Sequence, residues 1–390
     1  MTKIRISFLN QAGRILGVAL LVVPAAAPAA ALSPSPAQRQ IDAARATIQS
    51  RPADLKGYNS LAVGLTRRAR ETGDTAYYEE AWKALELARH LDSNNRQTLR
   101  ISAWVSMGQH EFARAYAISE QYDRQYPGDS WNQSVMGDAL MELGRYDEAE
   151  KAFQRMVDLK PGTAAYSRVA YVRELRGDLN GALEIMRMAL TSTESRESED
   201  RAWLWVQIAH LQDISGDLDA ADASYRSALA EFSGYHYALA GLAELTLRRG
   251  DAEEATRLAQ QALSAAPHAE RYLILADTLR TLGKEQEARA AEETFERLAL
   301  QNVNKADNEN HDLVLFYLER RPHPQWALSI AKIESSRRRD VHSLDRLAIA
   351  LAANGEERQA RRLMKRVLEI GTHDPLILRH AAGMGLRPAF

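Results

Sequence analysis

The chain has 390 residues, 45% of them hydrophobic and 26% charged, with a formal net charge of −2. That balance excludes a nucleic-acid binder driven by a large basic excess. The absence of cysteine excludes disulfides, thiolate metal sites and a cysteine nucleophile. Ala, Leu, Arg and Glu dominate and alternating β-branched runs are scarce, so the expectation is an all-α protein held by packing alone.

The first element in chain order is a leader. Lys3, Arg5 and Arg14 precede the apolar run Ile15 to Val23, and Pro24 then leads to Ala29-Ala30-Ala31, a small-residue cleavage site. This reads as a secretory signal peptide over residues 1–31, cut after Ala31, with residues 32–37 as a disordered lead-in. Two rivals exist. An uncleaved anchor needs ~20 apolar residues, more than the run supplies. An organellar transit peptide would suit the lack of acids before Asp42, but not so compact an apolar core. Removing the leader takes the formal charge to −5, and the expected location is periplasmic or secreted.

The remainder is periodic. Residues 130–163 read SWNQSVMGDALMELGRYDEAEKAFQRMVDLKPGT. Gly137 stands at the eighth place, Gly144 and Tyr146 at the turn, Ala149 at the twentieth, Phe153 at the twenty-fourth and Pro161 at the thirty-second. This pattern resembles the tetratricopeptide consensus. Small residues let two antiparallel helices cross closely, so Gly137 is expected to face Ala149. Gly144 permits the tight turn, Phe153 fills the space toward the next repeat, and Pro161 stops the second helix.

Sliding the template along the chain gives a twentieth-place alanine at Ala81, Ala113, Ala149, Ala182, Ala221, Ala255, Ala288, Ala327 and Ala360. The eighth place is small except at Ile101 and Leu315, and the turn glycine recurs at Gly108, Gly144, Gly177, Gly216, Gly250, Gly283 and Gly355. The expected fold is a right-handed superhelical α-solenoid of about nine tetratricopeptide-type helix-turn-helix repeats over residues 38–390. A half-repeat at 38–53 opens it. Repeats follow at roughly 55–93, 94–129, 130–162, 163–195, 202–235, 236–268, 269–303, 308–340 and 341–374, and a capping helix at 375–384 closes it. Three departures mark loops: RARETGDTAYYEEA in the first copy, which lengthens its turn or extends its first helix, TSTESRESEDR after the fourth and NVNKADNEN after the seventh. Pro322-His323-Pro324 replaces the turn glycine in the eighth.

Beyond the generic repeat, TRRARETGDTAYYEEA, RELRGDLNGALEIM and NVNKADNENHDLVLFYLE resemble segments of a group of exported bacterial tetratricopeptide proteins. The resemblance implies export and the repeat count and supplies no activity.

No enzyme signature occurs: H-E-x-x-H, G-x-S-x-G, Walker and Rossmann motifs are all missing from the sequence. The histidines lack metal-site spacing, and Glu79-Glu80, Glu253-Glu254 and Glu292-Glu293 read as solubilising outer-face charge. The expectation is therefore a non-enzyme without cofactor or metal. It would be a scaffold or adaptor in the cell envelope that binds a protein or peptide and no nucleic acid. In this family the first helices line the concave surface, which implies a groove of Trp131, Asp138, Arg168, Tyr171, Glu174, Trp203, Gln207, His210, Tyr237, Glu244, Asp277 and Arg280. The lysine and asparagine pair with which some relatives clamp a C-terminal carboxylate is missing from every copy. A second candidate surface, for an anionic glycan or lipid headgroup, is the C-terminal arginine cluster at Arg337, Arg338, Arg339, Arg362 and Arg366.

Overall fold

The computed structural model describes residues 35–306 and 308–388, so the leader lies outside the described residues. These residues form twenty helices, one continued by a π-helical turn, and no strand. A single helix α1 (Pro36–Ser50) leads into nine helix pairs. They are α2 (Leu55–Thr72) with α3 (Ala76–Leu91), α4 (Arg96–Gly108) with α5 (Phe112–Gln125), α6 (Ser130–Glu142) with α7 (Tyr146–Leu159), and α8 (Thr163–Leu175) with α9 (Leu179–Thr191). Next come α10 (Ser198–Ile214) with α11 (Leu218–Glu231), α12 (His236–Arg248) with α13 (Ala252–Ala265), and α14 (Arg271–Thr281) with α15 (Glu285–Asn302). The eighth pair is α16 (Asn310–Leu315), prolonged by the π-helical turn Phe316–Arg320, with α17 (Pro324–Arg337). The ninth is α18 (Val341–Ala353) with α19 (Glu357–Leu368), and a lone α20 (Pro375–Gly383) follows. Among the described residues no helix is long and apolar enough to cross a membrane.

The local code is visible at the turns. Gly177, Gly216 and Gly250 take positive φ, and the Asp after each accepts from a backbone N–H of the next helix. Asp178 accepts from Gly181 at 2.9 Å, Asp217 from Ala220 at 3.1 Å and Asp251 from Glu254 at 3.0 Å. Each carboxylate thus satisfies a helix-start donor that would otherwise lack a partner. The insertion in the first copy extends α2 by more than a turn and ends at Gly73 in the left-handed region.

Eight of the nine twentieth-place alanines are fully buried, as close helix crossing requires. The exception corrects the second copy. Ala113 is exposed, while Ala115 and Ala103 are fully buried, so the true register lies two residues further on. The left-handed turn residue there is His110, at φ 55, rather than Gly108. Gly108 ends α4 and makes room for the Tyr78 ring, which would stand 2.2 Å from a Cβ. A Cβ at Gly137 would meet the Phe153 ring at 2.3 Å, so the missing side chain also makes room for the phenyl ring of its own repeat.

The array does more than wind: its second turn packs on its first. The turn inside each early repeat meets the loop that follows the fifth repeat after it. Gly73 abuts Ala266 and His268. Tyr78, Gly108 and Arg114 face Asn302, Lys305 and Arg337 across a cavity of about 370 Å³. Gly144 seats the Arg339 carbonyl, and the Arg339 N–H donates to the Glu142 carbonyl at 2.8 Å. Gly177 lies against the Gly371 carbonyl and His373. The extended end of α2 adds a polar clasp to the start of α10: Arg67 pairs with Glu197 at 3.0 Å, and Arg70 with Glu199 at 2.9 Å and Asp200 at 3.1 Å. One apolar cluster joins Met136, Leu140 and Phe153 of the third pair to Val341, Met364 and Val367 of the ninth. The seam is therefore closed by core packing as well as by loops.

Candidate functional site

The first helices of successive pairs are tied by charges that cross from one to the next. Arg168 on α8 grips Asp138 on α6 with both ends of its guanidinium, one bond at 2.8 Å. His210 on α10 meets Glu174 on α8 at 2.9 Å. Arg248 on α12 reaches Asp213 on α10 at 2.5 Å. Arg320, at the end of the π-helical turn, holds Asp277 on α14 through two bonds of 2.7 Å. This ladder fixes the helix spacing and consumes much of the charge expected to be free for a partner.

What remains unpaired is acidic. The carboxylates of Glu244 on α12 and Asp312 on α16 make no ion pair or hydrogen bond among the described residues. Burial pushes the Glu244 carboxyl up to about 7, with Asp213, Asp312 and Asp277 adding to it against Arg248. Burial likewise raises Asp312 to about 6 and Glu142 to about 7, the latter despite Arg338 at 3.6 Å. Tyr171 is 37% exposed, yet burial holds its phenol well above the usual range and Glu142, Asp340 and Glu174 reinforce this. Water reaches this face while protein of the next turn stands opposite: His210 feels Asp374, and Tyr171 feels Asp340. For His210, burial opposes the proton but the Glu174 bond outweighs it, so its pKa is raised.

These carboxylates carry a pH signature with a definite sign. Glu244 has a folded pKa above its ordinary 4.5, so the folded state binds the proton more tightly than the unfolded chain does. Stability therefore declines as pH rises from about 4.5 to about 7 and is flat beyond. Glu244→Gln is expected to match the parent at pH 4. Above pH 7 it should be more stable by no more than about 1 kcal/mol, because water screens the exposed carboxylate. Urea midpoints at the two pH values check this.

The other sequence candidates divide. Trp131 is half-buried, edge-on to Trp104 at 5.7 Å and beneath Arg100 at 4.3 Å. Trp203 packs against both neighbouring cores, so inter-repeat packing is its main work, and Gln207 is half-buried beside it. Tyr237 belongs to the seam, its ring 4.1 Å from His236 and within the field of Arg271, Glu270, Arg70 and Glu199. Arg280 reaches Glu292 at 2.8 Å. Glu292 is itself buried between Arg280 and Arg320, which corrects its reading as outer-face charge.

The arginine cluster separates sharply. Arg337 is spent on the Asn304 and Lys305 carbonyls, and Arg338 on Glu334 at 2.6 Å and on Glu142, so neither is free for an anion. Arg339, Arg362 and Arg366 make no side-chain bond among the described residues. Asp213 and Asp312 were overlooked, although they stand at the twelfth and fifth places where the family register already points inward. Glu142 has no such signal.

Paired helices stacked into a closed turn around a charged inner face define an α-solenoid of repeats. The tetratricopeptide repeat family pattern matches residues 106–170 and again 341–372, so the chain carries tetratricopeptide repeats. Cellulose synthase 1 operon protein C of Komagataeibacter xylinus is 30% identical over 132 residues, which are 32% of this chain and 10% of that protein. The chain thus spans a tenth of the length of this relative. Among solved structures, the Cut9–Hcn1 hetero-tetramer of the APC/C superposes with a TM-score of 0.55, 17% identity, over 85% of this chain and 58% of the other. The human IFIT1 dimer with m7Gppp-AAAA gives 0.55 at 16% identity over 85% and 76%. At these identities the likeness is one of fold. Proteins of this repeat class are generally interaction scaffolds rather than enzymes.

Proposed function

We propose that the protein is an exported, non-enzymatic scaffold of the cell envelope that holds an extended segment of a partner protein against the inner face of its closed turn. The observation that carries this reading is the set Tyr171, Glu244 and Asp312. They are presented on first helices of the array, reached by water to different degrees, and lack an ion-pair partner among the described residues. An enclosed face favours an extended chain over a folded domain, and its acidic surplus favours a segment carrying Lys or Arg. The same carboxylates repel a polyphosphate, so the oligonucleotide seen with human IFIT1 is a poor guide to the ligand here. Export rests on the leader-like residues 1–31.

The test is positional. A photo-crosslinker at Tyr171 or Glu244, in cells, is expected to trap one recurrent protein, while the same group at the outward Met188 or Leu300 does not. Equal yields from both faces, or none from the inner one, would overturn the reading.

A further inference from the structure

The outer helices treat their arginines in two ways. On α5, α11 and α15 an outward arginine is paired with a carboxylate one turn back: Arg124 with Glu120 at 3.2 Å, Arg226 with Asp222 at 2.6 Å and Arg289 with Glu285 at 3.2 Å. On α13, Arg257 pairs with Glu254 in the same manner. Such pairs stitch a surface helix and leave little field beyond it. On α19 the pattern stops. Arg358, Arg361, Arg362, Lys365 and Arg366 are all exposed, and their spacing of three and four residues places them on one face. Arg361 donates to the Met384 carbonyl, whereas the side chains of the other four make no hydrogen bond or ion pair among the described residues. The opposite face, Ala360, Met364 and Val367, is buried. The cations therefore form a stripe roughly 12 Å long on a helix locked in place from behind.

One end of the stripe opens into a cavity of about 550 Å³. Arg366 and Arg339 line it with Arg176, over a floor that includes Val341, Leu344 and Ile370. Asp147 and Glu369 also line it, but Asp147 and Glu150 are already engaged by Arg176. This is a cationic rim over an apolar floor.

We propose that the α19 face docks on an anionic phospholipid surface, the stripe lying along the headgroups and the cavity beneath Arg366 and Arg339 receiving one phosphate-bearing headgroup. A row of exposed cations along one helix face, Arg358, Arg362, Lys365 and Arg366, matches a plane of anions, because its donors are spread along the helix rather than converging on one small anion. A nucleic acid would call for aromatic platforms between the cations, and α19 contains none. A folded protein partner would call for an exposed apolar centre, and the outward face of α19 offers only charge.

The test compares two variants of the full chain with equal charge loss. Arg358→Gln, Arg362→Gln, Lys365→Gln and Arg366→Gln together empty the stripe. Arg124→Gln, Arg226→Gln, Arg257→Gln and Arg289→Gln remove the same charge from outer helices whose arginines are paired. Both keep exposed positions and should retain the helical circular dichroism of the parent. Co-sedimentation uses vesicles of phosphatidylglycerol mixed equally with phosphatidylcholine, and pure phosphatidylcholine vesicles report binding that does not depend on lipid charge. Each stripe cation is worth about fivefold in binding to the anionic vesicles. The first variant should therefore lose more than about a hundredfold and the second little, and high salt should abolish the difference. Equal behaviour of the two variants, or parental binding by the first, overturns the proposal. So does tighter binding to polyglutamate or to a single-stranded oligonucleotide than to the anionic vesicles.

Discussion

Gly144→Ala is expected to destabilise the protein by about 2–5 kcal/mol, whereas Gly250→Ala costs about 1–2 kcal/mol. Both glycines stand at the same place in their repeats and both have positive φ, 71° and 90°, so both substitutions incur the left-handed cost. Their surroundings differ. A Cβ at Gly144 would lie 2.4 Å from the Arg339 carbonyl oxygen, and one at Gly250 would meet nothing within 4 Å. The neighbour at Gly144 is backbone, so it gives way only if the second turn lifts from the first. That would strain the bond from the Arg339 N–H to the Glu142 carbonyl and the Arg338 contact with Glu142. Urea unfolding measures the two costs, and small-angle scattering should show a larger radius of gyration for the Gly144 variant alone. Equal costs at the two sites would mean that the seam contributes nothing to stability.

A comparable loss, about 3–5 kcal/mol, is expected for Asp345→Ala. Its carboxylate is fully buried on α18, pairs with Arg346, and accepts from His380 Nδ1 on α20 at 2.9 Å. Truncation leaves the buried Arg346 guanidinium without its counter-charge and cuts the polar tie between the last repeat and the closing helix. Hydrogen exchange should show α20 losing protection ahead of α18. Asp345→Asn, which keeps one acceptor oxygen but loses the charge, should recover part of the loss. Full stability of Asp345→Ala at neutral pH would refute this account.

The repeat itself was readable because its determinants are local and steric. A small residue is needed wherever two adjacent helices cross, and that need recurs at Ala149, Ala182 and Ala221 whatever surrounds them. The second copy misled for an equally local reason: Ala113 and Ala115 are both alanine, and only burial tells them apart. The seam was not readable. Its geometry accumulates from small rotations at every repeat, so that Arg339 arrives at Gly144 only through the summed twist of the helices between them. The same summation decides which charges are free. Arg338 and Arg362 look alike in sequence, but only Arg338 meets a carboxylate from the preceding turn, at Glu142. Inner-face acids such as Asp312 stand at the right place in the repeat, yet the charges they feel, Glu270 against Arg346 and Arg338, are set by how the turns come together.

Closure of the turn also governs kinetics. A polypeptide lying within a complete turn has two exits: sliding out along its own length, or waiting for the seam at Arg70, Gly144 and Gly177 to part. For a guest held as proposed, escape through the seam is then limited by the protein's own opening rate, and only sliding depends on how many contacts the guest makes. A seam-weakened Gly144 variant should therefore load and release faster in equal measure, leaving the equilibrium affinity nearly unchanged.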